Sequence, residues 1–201
     1  MGIFQKIFGK GNTESDSGKT DKIYPILKPA DWVGIEHGSL YKIFLDTDQG
    51  VKVVVGFGYN TPSNFKFITE DELGGKTRDE IISEAYKNID EYPYKFEVVN
   101  TPGGKILLAS GKDFSSEKIL SPVFMKDAQR LLETNEIYVA IPRRKCLMLI
   151  AKNNAKGLGT FFDMQMKTWD DDSHGNAPIL ISFITMSEGV VTGFTSLEKY
   201  A

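Results

Sequence analysis

Cysteine is nearly absent from this chain. Cys146 is the only one in 201 residues, so no disulfide can form within the chain, and free thiols fit a reducing compartment. Histidine is almost as scarce, with only His37 and His174. Zinc needs three or four nitrogen, sulfur or oxygen ligands, and nothing in the spacing of these residues supplies a set, so no metal is expected. Positive charge is not in excess either: 24 basic residues face 27 acidic ones, for a net charge of −3. Duplex-binding domains draw their affinity from neutralising phosphates, so nucleic acid is not an expected partner. Long apolar runs are missing as well. The longest, Cys146 to Ala151, falls far short of the ~18 residues that mark a membrane span. Ile3 to Phe8 is too short and too interrupted for a secretion signal. A soluble, cytoplasmic protein is the expectation.

What is present is ordinary globular composition, 41% hydrophobic and 25% charged, which excludes global disorder. A chain of this mass buries roughly 70% of its open surface on folding, enough for a core that needs no metal or disulfide. Residues 1–22 stand apart. Gly9 to Lys22 contains no apolar residue and reads as a flexible linker. Ahead of it, Ile3, Phe4, Ile7 and Phe8 would share one side of a helix, with Lys6 and Lys10 toward the other. That pattern suits reversible docking on an anionic membrane surface or a protein partner, or folding back on the chain's own domain. Peripheral membrane placement follows if the first of these holds. The myristoylation pattern fails at Lys6. Residues 23–201 are expected to form a single α+β domain.

Along that domain the hairpins are easy to read. Tyr41, Ile43 and Leu45 share a face, Asp46 to Gly50 makes a turn, and the return strand puts Val51, Val53, Val55, Phe57 and Tyr59 on one side. Thr77 and Glu80 form a capping box, opening a helix whose apolar stripe is Ile81, Ile82, Ala85 and Ile89. A second hairpin, 94–99 with 106–109, turns at Thr101-Pro102-Gly103-Gly104, where Pro followed by Gly predicts a type II turn. Ser121 and Pro122 start another helix, with Phe124, Ala128, Leu131 and Leu132 inward. A third hairpin spans Ile137 to Ala151, with Pro142, Arg143, Arg144 and Lys145 at its tip. Leu158, Phe162, Met166 and Trp169 then keep helical spacing, before a last strand pair, Ile179 to Met186 and Val190 to Phe194. Runs that are apolar on both faces belong mid-sheet. The order predicts an α+β fold: a mainly antiparallel sheet built from successive hairpins, with about three helices packed on one face.

Ile23-Tyr24-Pro25, and the segment from Ser121 through Ala140-Ile141-Pro142, resemble the YtpQ-like family of bacterial proteins. There a helix leads into an apolar strand ending in Ala-Val-Pro or similar, then a polar turn, a second apolar strand, a Met-rich amphipathic helix and a final apolar strand. The later pieces here would be Leu147 to Ala151, Phe162 to Met166, and Pro178 to Met186. Members usually carry an acidic residue just before the second strand, where this chain has Lys145. The resemblance implies the fold and a cytosolic placement. It brings no established activity and no catalytic residues.

Individual motifs add little chemistry. Ser17-Gly18-Lys19-Thr20 ends like a phosphate-binding loop, but position 13 is Thr13 where that motif needs glycine, and no strand precedes it. Gly56-Phe57-Gly58 and Gly157-Leu158-Gly159 lack a third glycine; they read as small residues required by a pleat and a helix entry. Asp170, Asp171 and Asp172 are consecutive, so their carboxylates do not converge as in a calcium loop. Cys146 follows three cations, which would depress a thiol pKa, yet it opens an apolar strand and reads as a core residue. The tip Arg143, Arg144 and Lys145 offers guanidinium forks suited to carboxylate or phosphate. No cofactor is expected. The leading expectation is a binding protein without catalysis, contacting a protein or membrane surface through Ile3, Phe4, Ile7, Phe8 and the basic tip. Two alternatives remain: a small-ligand sensor or enzyme whose site assembles from Cys146, His37, His174 and the three aspartates, and an immunity or inhibitor protein.

Overall fold

The computed structural model describes residues 22–61, 64–173 and 175–197. The α+β class and the antiparallel, hairpin-built sheets expected from the sequence are what it shows. The expected single sheet is two, and the chain divides between Tyr92 and Pro93 into two compact units.

The first unit contains β1 (Ile23–Pro29), β2 (Tyr41–Thr47), β3 (Gly50–Asn60), β4 (Phe65–Phe67) and α1 (Arg78–Glu91). β3 is central: β1 pairs along one side of it, and β2 and β4 pair along the other. Pro25 and Pro29 lie in β1, an edge strand, where a missing N–H costs no ladder bond. Val53, Val55 and Phe57 are fully buried, and Tyr86 of α1 packs against Phe57. α1 begins as its capping box predicts, with Glu80 N–H donating to Thr77 Oγ1 and Thr77 N–H to the Glu80 carboxylate. Ile81, Ala85 and Ile89 are buried, while Ile82 is only half-buried; Asn88 joins the stripe because its Nδ2 donates to the Ile23 carbonyl at 2.9 Å. On the opposite face of β3 the glycines read as a pleat needing small residues are that. A Cβ at Gly56 would meet the rings of Trp32 and Phe67, and one at Gly58 the Lys66 carbonyl of β4.

The second unit contains β5 (Glu97–Thr101), β6 (Gly104–Ser110), a 3-10 turn (Ser116–Leu120), α2 (Pro122–Leu131), β7 (Glu136–Ala140), β8 (Cys146–Ala151), α3 (Leu158–Asp170), β9 (Phe183–Ser187) and β10 (Val190–Thr195). Its sheet runs β10-β9-β7-β8-β6-β5. Every residue of β8, and Ile106 to Ala109 in β6, is buried, which requires cover on both faces. The expected single helical face therefore divides. α3 lies over the face of Ile150 and Phe183, with Phe161 packed on Phe183 and Gly157 against the Ile150 methyl. Phe124 of α2 stacks on Phe96, whose alternation places it on the other face.

Three finer expectations need correction. The left-handed residue in the β5–β6 turn is Gly104 (φ 118°) rather than Gly103, so the turn is not type II. α2 buries Met125 and Gln129, and leaves Leu131 exposed. Gln129 goes inward because both ends of its amide are used: Nε2 donates to the Asn135 carbonyl and Oε1 accepts from Gly189 N–H. α3 is rotated by about one residue from its expected stripe, burying Phe161, Met164, Gln165 and Thr168 while Leu158, Phe162, Met166 and Trp169 are half-buried. Gln165 donates to the carbonyls of Leu180 and Ile181. Ile179 and Leu180 N–H still donate to the Pro142 and Ile141 carbonyls, and β9 as a strand starts at Phe183.

Candidate functional site

Ile3, Phe4, Ile7 and Phe8 lie outside the described residues. The basic hairpin tip is described, and two of its three cations are engaged by the fold. Arg143 Nε donates to the carbonyls of Thr168 (3.0 Å) and Trp169 (2.8 Å), and a terminal nitrogen donates to Asn176 (2.9 Å). Those first two carbonyls belong to the last turn of α3, whose acceptors have no partner inside the helix. A fixed positive charge there also favours the negative end of the helix dipole. Lys145 takes a left-handed backbone (φ 62°), and its ammonium sits 2.7 Å from Asp113. Its N–H donates to Ser116 Oγ at 3.1 Å. Only Arg144 of the three has no side-chain partner among the described residues.

The groups named for a dispersed catalytic site are distributed as follows. Cys146 is buried, and burial pushes its thiol up to about 12, so it is a neutral thiol at any ordinary pH. The neighbouring cations do not reach it, because Arg143 and Lys145 are turned to α3 and Asp113. His37 belongs to the first unit and is exposed. His174 lies outside the described residues. Asp170 ends α3, and Asp171 accepts from Ser173 N–H at 3.0 Å in a local turn. Among the described residues no three His, Cys, Asp or Glu side chains are grouped to hold a metal ion, and no helix is long and apolar enough to cross a membrane.

Sequence reasoning passed over a different place. α3 starts beside the β5–β6 turn, where Gly103 lies against Gly157, and ends beside the β7–β8 turn at Arg143. It thus crosses its sheet face diagonally, away from the far corner where Glu97 and Ser110 lie. An open recess of about 580 Å³ occupies that corner. Pro93, the Tyr94 ring and the stems of Lys95 and Lys112 line it, while Leu108, on the same face as Glu97 through their pairing, is only 1% exposed. Lys95 and Lys112 rim it as exposed cations opposite Glu97.

Tyr94 forms a fixed wall. Its hydroxyl donates to the Ser110 carbonyl at 2.9 Å, and Ser115 Oγ, which also lies 2.7 Å from the Lys112 carbonyl, is 3.0 Å away. Burial raises the phenol above its ordinary range, opposed by those two bonds. Edge-on contact with Phe124 and the Phe96–Phe124 stack hold the strand entry in place, and the Lys112 ammonium stands 5.8 Å from the Tyr94 ring centre. The signal in the sequence was Lys95 and Glu97, opposite charges two residues apart at the entry to β5.

The chain matches no family model, and no curated protein or solved structure searched is similar to it.

Proposed function

We propose that this chain works by binding rather than by catalysis, and that it recognises a protein partner through an acidic, partly apolar segment. The observation that carries this reading is the recess on the second sheet. It is a shallow, open recess with Pro93 and the Tyr94 ring among its lining residues and two ammonium groups at its rim. Ammonium groups on flexible stems suit a carboxylate that arrives from solvent, and an apolar residue beside that carboxylate would lie against Pro93 and the Tyr94 ring. Glu97 can accept from a partner backbone N–H and would repel a partner with acidic groups in the wrong register. The N-terminal residues Ile3, Phe4, Ile7 and Phe8, and Arg144 at the hairpin tip, are further contacts in the same reading. Support also comes from what the other reactive groups do: the Arg143 fork closes a helix end, and the Cys146 thiol is held neutral in the core.

The test is fluorescence anisotropy with labelled peptides alternating glutamate and leucine, against lysine–leucine counterparts. Acidic peptides should bind, and the affinity should weaken as salt rises. Reversing the rim with Lys95→Glu and Lys112→Glu should cost about tenfold or more, since like charge at an interface costs several kcal/mol. Equal binding by the reversed variant would contradict the reading, as would binding only to vesicles of anionic lipid.

A further inference from the structure

Among the described residues four strands besides β10 lie at sheet margins, and each carries a feature that discourages strand pairing. β1 holds Pro25 and Pro29, β2 holds Lys42 and Asp46, β4 is three residues long around Lys66, and β5 opens on Glu97. Such charges, prolines and short lengths are how proteins keep an open edge from adding another chain. β10 is different. Among the described residues it ends the six-stranded sheet and pairs only with β9, and it reads Val190-Val191-Thr192-Gly193-Phe194-Thr195 with no charge and no proline. Every residue except the glycine is β-branched or aromatic, the types that favour strands most. Its single irregularity is a register shift between Val191 and Gly193.

We propose that β10 is an interface, and that its occupant is β10 of a second copy of this chain, running antiparallel across a twofold axis. Self-pairing about a twofold sets a strand against its own sequence. A charged edge would then meet like charges, and an uncharged one does not. Antiparallel pairing also brings the Val190 end of one strand against the Phe194 end of the other, and β-branched residues facing aromatics are favourable cross-strand pairs. The apolar surface extends beyond the strand: Val190 is 55% exposed and Val123 at the start of α2 is 66% exposed. Their chain neighbours touch, because Gly189 packs against the Pro122 backbone. Pairing there would join two six-stranded sheets into one continuous sheet.

The experiment is sedimentation velocity on the full chain over the micromolar range, with amide hydrogen exchange read in parallel. The wild type should show a monomer–dimer equilibrium, and the β10 amides should gain protection as concentration rises. Val190→Lys and Thr195→Lys place charge at exposed positions of the strand and should each weaken the dimer by about tenfold. Val98→Lys, on the opposite sheet edge, should leave it intact. Melting curves for each variant separate lost pairing from lost folding, and the exchange readout needs no variant at all. A wild type that stays monomeric at high micromolar concentration overturns the proposal. So does a dimer that tolerates both β10 lysines, or one that Val98→Lys weakens equally.

Discussion

At the scale of single residues, the side chains that look most reactive in the sequence are the ones most committed to structure. Arg143 answers three backbone carbonyls. Replacing it with alanine should destabilise the protein by roughly 2–3 kcal/mol, the range for losing charged hydrogen bonds to partly buried acceptors. Arg143→Lys should recover only a small part, because an ammonium cannot reproduce the fork. Chemical denaturation of the three proteins measures this, and a fully stable lysine variant would mean that charge alone matters. Cys146 makes a second case. Its thiol titrates near 12 when folded, against an ordinary value of 9.0, so above about pH 9 the unfolded chain loses a proton that the folded one keeps. Stability should therefore fall as pH rises from about 9 toward 12, by up to ~1.4 kcal/mol per unit from this group. Comparing wild type with Cys146→Ala isolates it, since the alanine variant should lack this contribution to the slope. The core position of Cys146 was legible from the apolar strand it opens, whereas the partners of the cations before it were not. A run such as Arg143-Arg144-Lys145 states charge, and the helix end or aspartate that each one meets is set by residues 25 or more positions away in two of the three cases.

At the scale of elements, local signals read well and facial assignments read less well. Thr77 with Glu80, and Ser121 with Pro122, mark helix starts because capping is a contact within four residues. The stripe of α3 went to the wrong face because Gln165 and Thr168 count as polar in a periodicity argument. The amide of Gln165 is satisfied by carbonyls that only the fold brings near. β1 and β4 were not read as strands, since one carries two prolines and the other is three residues long. The glycines of β3 were legible as small residues, though not what they make room for. Gly58→Ala would collide with the fixed Lys66 backbone, whereas Gly56→Ala meets ring edges that can tilt. Gly58→Ala should cost about 1–3 kcal/mol, and Gly56→Ala less. Thermal melts of the pair decide this; equal costs would mean that the aromatic cluster is as rigid as the backbone.

At the scale of the whole molecule, the α+β class and antiparallel pairing follow from hairpins joined by short turns, and these were readable. The division at Tyr92 and Pro93 was not. No Gly/Ser-rich stretch marks it, and period-two alternation says which residues share a face without saying which sheet a strand joins. The recess was hidden for a related reason, because its lining residues come from three separate stretches, 93–97, 108–110 and 112, that only the fold brings together. The recess beside β5 and β6 is proposed to receive an acidic segment of a protein partner. Amide chemical-shift mapping of the labelled full chain, titrated with the glutamate–leucine peptide, tests it most directly. The account predicts that shifts cluster at Tyr94, Lys95, Glu97, Leu108, Ser110 and Lys112, and that they shrink as salt is added. Shifts confined to other surfaces, or no shifts at peptide concentrations that saturate anisotropy, would contradict it.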